Sequence, residues 1–322
     1  MIEKLLQIAK KNKEKIVYKI ESDEITYGEL LKRAEELAKS LENQGISPVI
    51  IYGHKQINML VSIVACLIAK RAYVPVDNTY MPKERICEII KLSNANLIIK
   101  NEEIGINAIE CLSVEEINQK YNSITKKTEN KNEIAYIIFT SGSTGAPKGV
   151  PISYSNLENF ISWISNLDGL KENENISVLN QANFSFDLSV ADIYYTLFND
   201  HTLVGLKNTD NYEKILEIIK CENINLMVVT PTFIKLLLLD NSFNSKDLPS
   251  LKCIYFCGET LEVQTVKKIR ERFEKIKIIN AYGPTEATSA VSAVIVDDKM
   301  LEKEYLPVRK IKYSGYKDRN RR

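Results

Sequence analysis

The sequence predicts an α/β protein built as two packed α/β subdomains with mostly parallel sheets. A length of 322 residues exceeds what one ordinary hydrophobic core organises. Short apolar runs alternate with stretches of helical periodicity, the rhythm of repeated βαβ units. No Gly/Ser-rich linker divides the chain, so the two halves are expected to share an interface. A ligand in such a protein sits in the crevice at the strand C-termini.

Helical periodicity covers residues 5–13 and 27–44, with a short strand pair around Val17 and Ile25 between them. Thr26 and Glu29 form a capping box for the second helix, and Gly45 stands just past its end. Residues 49–52 read as a buried strand, 58–70 as a helix and 72–76 as a strand ending at Asp77. Helix 83–92, strand 96–99, helix 113–120 and strand 133–139 continue the series. A second series runs through helix 155–165, strand 178–180, helix 188–198, strand 202–205, helix 212–220 and strand 226–230. Helix 231–239, strand 253–257, helix 263–273 and strand 277–280 follow, and 292–296 opens a new strand. Residues 1–308 are thus expected to form subdomains of about 1–150 and 151–308, leaving 309–322 as a tail.

Hydrophobic residues at 44% and charged residues at 26% fit a packed, soluble chain. Forty-three Lys+Arg against 42 Asp+Glu leave no global field for nucleic acid or an anionic membrane, so neither is an expected partner. The balance hides an asymmetry, because 309–322 holds seven basic residues and one acid while 1–308 carries −5. The strongest apolar run, 59–69, is too short to cross a bilayer, and the N-terminus lacks a signal-peptide core, so a cytoplasmic protein without membrane insertion is expected. Six cysteines form no CxxC pair and read as reduced thiols. Only His54 and His201 are available for a zinc site or a Ser-His-Asp triad, and neither lies in a pattern.

The chemistry-bearing segments all close strands. YIIFTSGSTGAPKGV (136–150) runs an apolar strand into a loop where Gly142, Gly145 and Gly149 let backbone amides approach an oxyanion. The hydroxyls of Thr140, Ser141, Ser143 and Thr144 add donors and Lys148 adds charge, which points to phosphate binding rather than a plain surface turn. The loop is not a Walker A motif, since Pro147 and Gly149 flank the lysine, and it holds no GxSxG. In NFSFDLSV (183–190), Asp187 lies among apolar residues at a helix start, either as a cap or as a buried anion awaiting an ammonium group. NAYGPTEAT (280–288) offers Tyr282 for stacking, Thr285 for a phosphate and Glu286 for Mg²⁺, although each alone also suits an ordinary Gly-Pro turn. YFCGE (255–259) turns Cys257 toward the same crevice, where it serves either as a small buried hydrophobe or as a specificity residue.

In this order the four segments resemble the adenylate-forming superfamily, and FSFDLSVADIYYTL, VVTPTF and IYFCGETL look nearer still to its stand-alone D-alanine:carrier protein ligases. The similarity runs from about Thr26 to Val308 and includes AYVPVDNTYMPKERI (72–86). It implies that Thr140, Ser141, Gly142, Ser143, Thr144, Gly145 and Lys148 hold ATP phosphates and that Asp187 holds the substrate ammonium. It further implies that Asn280, Ala281, Tyr282, Gly283, Pro284 and Thr285 meet adenine and phosphates, that Glu286 binds Mg²⁺, and that Cys257 and Ser289 line the substrate pocket. The implied reaction activates D-alanine, or another small amino acid, as its adenylate and passes it to the phosphopantetheine thiol of a carrier protein.

The chain departs from that pattern after Val308, where a small β-barrel and a C-terminal lid are expected and RKIKYSGYKDRNRR stands instead. Four of those residues are Arg in a chain that otherwise prefers Lys, as a frameshifted end or a basic interaction tail would give. Lys70-Arg71 tightens the connection into AYVPVD, and Ser289 stands where an apolar residue is usual. An amino-acid adenylation domain of the non-ribosomal peptide synthetase type, or an ATP-binding remnant without turnover, is the alternative.

Overall fold

The computed structural model describes residues 1–42, 44–79, 81–105, 109–121, 133–141, 146–170, 175–207 and 211–308. Its strands β1 (Ile16–Ile20) and β2 (Asp23–Thr26) form a hairpin. Next come β3 (Val49–Gly53), β4 (Tyr73–Asp77), β5 (Leu97–Lys100), β6 (Glu110–Leu112), β7 (Ile134–Ser141) and β8 (Pro147–Ser153). These six make one sheet in the order β6-β5-β3-β4-β7-β8, parallel except for the β7–β8 hairpin at its edge.

The chain then forms β9 (Ser177–Asn180), β10 (Thr202–Gly205), β11 (Ile224–Val229), β12 (Cys253–Phe256), β13 (Lys277–Tyr282) and β14 (Ser292–Ile295). With the N-terminal hairpin they build an eight-stranded sheet, β14-β13-β12-β11-β9-β10-β1-β2, parallel inside and antiparallel at both edges. Neither sheet closes into a barrel. The expected α/β class holds, but the sheets do not divide at residue 150: that position lies within β8, and β1 and β2 cross to the larger sheet.

Burial explains the sequence pattern. Every residue of β3 and β4 is buried, as parallel strands covered on both faces require. The helix Leu188–Phe198 is buried along its whole length, and the largest apolar cluster joins it to the helices Tyr27–Glu42 and Ile57–Ile68 and to strands of both sheets. Two strands escape the sequence reading. β6 has three residues, and β8 carries Pro147, Gly149 and Pro151, which are tolerated because β8 is an edge strand.

One half of the capping box is seen, with the Glu29 amide donating to Thr26 Oγ1 at 3.2 Å. The Lys70-Arg71 connection is as tight as the sequence implies. Helix Ile57–Ile68 ends with the Lys70 amide donating to Leu67 O and the Arg71 amide to Cys66 O, and Lys70 takes a left-handed φ of 50°. That hydrogen-bond pair puts Lys70 at the position where helices favour glycine. Arg71 is buried and donates to the carbonyls of Leu41 and Ser47 and to Asn96 Oδ1, so three chain segments depend on one guanidinium. Because an exposed lysine here bears only the left-handed penalty, Lys70→Gly is expected to raise stability by about 1 kcal/mol. A urea midpoint moved upward at constant slope is the expected reading, and a lower midpoint would contradict it.

Candidate active site

The hairpin β7–β8 pairs Thr140 with Lys148 and Ser141 with Pro147, so these residues stand on strand ends rather than in the loop. Gly142, Ser143, Thr144 and Gly145 fall outside the described residues. Lys148 Nζ donates to Glu286 Oε1 at 3.2 Å, joining the hairpin to the 3-10 turn Thr285–Ala287. Both side chains are more than half exposed. Glu286 is held below its usual carboxylate range first by its own backbone amide and then by Lys148, so it is ionised near neutral pH.

In the same turn Thr285 Oγ1 donates to Asp187 Oδ2 at 2.7 Å. Asp187 precedes the helix Leu188–Phe198 without making the usual side-chain cap. Burial pushes its carboxyl above the ordinary value, opposed chiefly by the Thr285 bond. A carboxylate so placed gains from a cationic partner, and among the described residues it has no ion pair.

Cys257, just after β12, is buried, and its thiol donates to Ser289 O at 3.6 Å. Burial and then Asp187 push the thiol up to about 11, so it is a neutral packing group and not a nucleophile. Thr288 and Ser289 are both left-handed, with φ of 63° and 68°, and Ser289 Oγ is buried without a partner.

Gly283 makes that turn possible, since a Cβ there would lie 2.5 Å from Ala290 Cα. Tyr282, just before Gly283-Pro284, is 57% exposed and can present its ring to a planar ligand. Asn280 and Ala281, by contrast, are buried in β13, and Asn280 Nδ2 donates to Pro307 O at 3.1 Å. Candidates from all four segments are brought together: Asp187, Thr285, Glu286, Lys148, Cys257 and Ser289 form one linked group.

Sequence reasoning missed a second polar group at the same strand ends. Lys55, in the turn after β3, is fully buried with a left-handed φ of 61°. Its Nζ reaches into the other sheet and donates to Asn180 O at 3.3 Å, Gln181 O at 2.8 Å and Leu206 O at 2.8 Å. Burial pulls its pKa down to about 8, opposed by Asp192 and Asp77. Next to it His54 Nδ1 lies 2.6 Å from Asp77 Oδ2 and its Nε2 lies 2.7 Å from Lys207 O. The only sequence signal was position, a polar His-Lys-Gln run directly after a buried strand.

Among the described residues, no group of three or more His, Cys, Asp or Glu side chains is arranged to hold a metal. Glu286, ionised and exposed, fits Mg²⁺ in the manner of sites that share the ion between one carboxylate, phosphate oxygens and water. Also among these residues, no helix is long and apolar enough to cross a membrane.

The chain matches the family described as AMP-binding enzyme over residues 5–310. It is 39% identical over 320 residues to a D-alanine--D-alanyl carrier protein ligase of Bacillus licheniformis, covering 96% of this chain. To the ligase of that name from Listeria monocytogenes it is 37% identical over 318 residues, covering 94%. The chain spans 63% and 62% of the lengths of these two relatives. Among solved structures, the Vibrio cholerae adenylation domain AlmE in complex with glycyl-adenosine-5'-phosphate is similar at a TM-score of 0.80 and 25% identity, over 95% of this chain and 63% of that one. The Klebsiella oxytoca NpsA N-terminal subdomain, at a TM-score of 0.81 and 20% identity over 96% of this chain and 79% of its own, shares the fold.

Proposed function

This chain belongs to the AMP-binding enzyme family, and from that premise we propose that it supplies the nucleotide and amino-acid sites of an ATP-dependent ligase for D-alanine, working in the cytoplasm. The observation that carries this reading is the Asp187–Thr285 hydrogen bond, which ties a half-buried carboxylate without an ion pair among the described residues to the turn bearing Glu286. A ligand with an ammonium on Asp187 would thereby present its own carboxylate toward the phosphate-binding side of the turn. That is the geometry needed for attack on the α-phosphate of ATP, with pyrophosphate leaving and an aminoacyl-adenylate formed.

Activation is required because a free carboxylate is too poor an electrophile for a thiol. The acceptor we propose is the phosphopantetheine thiol of a carrier protein, in line with the names of the relatives. Lys148 is suited to neutralise phosphate charge, and Glu286 to hold Mg²⁺, which when bound supplies further charge neutralisation at the phosphates. Cys257 is suited to restrict the space around the substrate Cα, leaving room for one methyl orientation.

One observation favours a second reading. The buried, unpartnered hydroxyl of Ser289 suits a small polar side chain better than a methyl, as in an adenylation domain of broader amino-acid choice. Titrating the chain with D-alanyl-, L-alanyl- and D-seryl-sulfamoyl adenosine distinguishes the two. Preference for the D-alanyl compound is expected, and preference for the seryl compound would replace the first reading with the second.

A further expected result separates the two ends of the ion pair. Lys148→Ala should weaken ATP binding about tenfold with or without Mg²⁺. Glu286→Gln should weaken it only when Mg²⁺ is present. Isothermal titration of both variants checks this, and equal, Mg²⁺-independent losses would remove Glu286 from the site.

A further inference from the structure

We infer that Lys55 is a positioning residue for substrate-amine recognition, acting across the two sheets to fix the segment that carries Asp187. The proposal rests on the assignment of Asp187 to the substrate ammonium. Lys55 itself touches no ligand in this reading, because its ammonium is enclosed by protein.

The connection can be followed bond by bond. Lys55 Nζ donates to the carbonyls of Asn180 and Gln181, the last residue of β9 and the first of the segment that leads to Asp187. Asn180 Nδ2 donates in turn to Ala182 O at 3.0 Å and to Asp192 Oδ2 at 2.9 Å. Asp192 lies in the helix Leu188–Phe198, which begins directly after Asp187. At the far end, Ser189 Oγ donates to Phe186 O at 2.7 Å. Segment 180–187 is therefore clamped at its start by Lys55 and at its end by its own helix, with Asn180 and Asp192 joining the two.

Charge makes the arrangement interdependent. Asp192 is fully buried, which pushes its carboxyl well above the ordinary carboxylate range; no salt bridge reaches it among the described residues, and Lys55, linked to it through Asn180, is the cation that opposes that shift. One Asp192 oxygen has no hydrogen-bond partner, which leaves the carboxylate reliant on that neighbouring charge. The lysine is delivered by a different sheet, and its turn is pinned by Tyr18 OH donating to Lys55 O at 2.7 Å. Three carbonyls, a buried carboxylate and a left-handed lysine exceed what cross-sheet adhesion alone needs, since apolar contacts already join the sheets.

The test uses the 322-residue chain and two ligands, D-alanyl-sulfamoyl adenosine and propionyl-sulfamoyl adenosine, which differ only in the ammonium group. Lys55→Met alone leaves Asp192 buried without a cation and is open to misfolding. The paired variant Lys55→Met/Asp192→Asn removes both charges and retains an acceptor for Asn180. In the folded paired variant, affinity for the alanyl compound should fall about tenfold while that for the propionyl compound changes less than about twofold. In an Asp187→Asn background the same pair of substitutions should have no further effect on the alanyl compound, since Lys55 acts through Asp187.

Equal losses for both ligands would reduce Lys55 to a structural clamp and overturn the proposal, as would an unchanged alanyl affinity. If the unmodified chain binds the two compounds equally well, Asp187 does not read the ammonium, and the function proposed above fails with it.

Discussion

Asp187→Asn is expected to strip about 100-fold from the affinity for an ammonium-bearing adenylate analogue while making the ligand-free chain more stable. The affinity loss follows from removing the half-buried negative charge and leaving the ligand cation unpaired. The gain in stability follows from the direction of the Asp187 shift. Burial raises its folded-state pKa above the unfolded value, so the stability tied to its protonated form is present at acid pH and lost as pH rises through the folded pKa. At neutral pH the ionised carboxyl therefore works against the fold. Asparagine avoids that penalty and still accepts from Thr285. Melting curves against pH should converge for the two proteins at low pH and separate as Asp187 ionises, and a less stable variant at neutral pH would contradict the argument. Retained affinity for D-alanyl-sulfamoyl adenosine would place the amine elsewhere.

Gly283→Ala is expected to destabilise the chain by about 1 to 3 kcal/mol and to abolish nucleotide binding. Its Cβ would lie 2.5 Å from Ala290 Cα, 2.9 Å from Ser289 O and 2.9 Å from Val291 N. All three are backbone atoms of a loop closed by the Val291 amide on Tyr282 O at 2.9 Å, so no side chain can swing aside. Relief requires opening the loop, which moves Thr285 away from Asp187 and Glu286 away from Lys148. A lowered urea midpoint with lost ATP binding is the expected pair of results. An unchanged midpoint would mean that the loop yields without strain.

Spatial grouping of the candidate residues was easier to read from the sequence than their bonding. Asp187, Thr285, Glu286, Lys148, Cys257 and Ser289 stand near one another because each lies close to the end of an apolar strand, Lys148 on the smaller sheet and the others on the larger one. The Asn280 side-chain bond to Pro307 O was not legible, because its partner is 27 residues away and leaves no local mark. Thr140 and Ser141 read as loop residues because β8, with two prolines and a glycine, resembles a turn rather than the partner that extends β7. Lys55 and Arg71 were the larger omissions. A lone cation reads as exposed, and only the carbonyls supplied by distant segments make it a buried one.

The placement of the N-terminal hairpin in the larger sheet imposes an order on folding. Strand β1 pairs with β10, Tyr18 beside Leu203, so its inner edge cannot be satisfied until that part of the chain exists. At ordinary rates of synthesis the interval is about 10 to 40 seconds. Meanwhile β3 finds both its neighbours, β4 and β5, within the first 100 residues, so the middle of the smaller sheet can assemble first. A two-stranded hairpin alone is marginal in water, and an open strand edge invites pairing with other chains. The nascent protein thus carries an adhesive N-terminal edge for most of its synthesis, and this edge, rather than the site-bearing turns, is where premature association would begin.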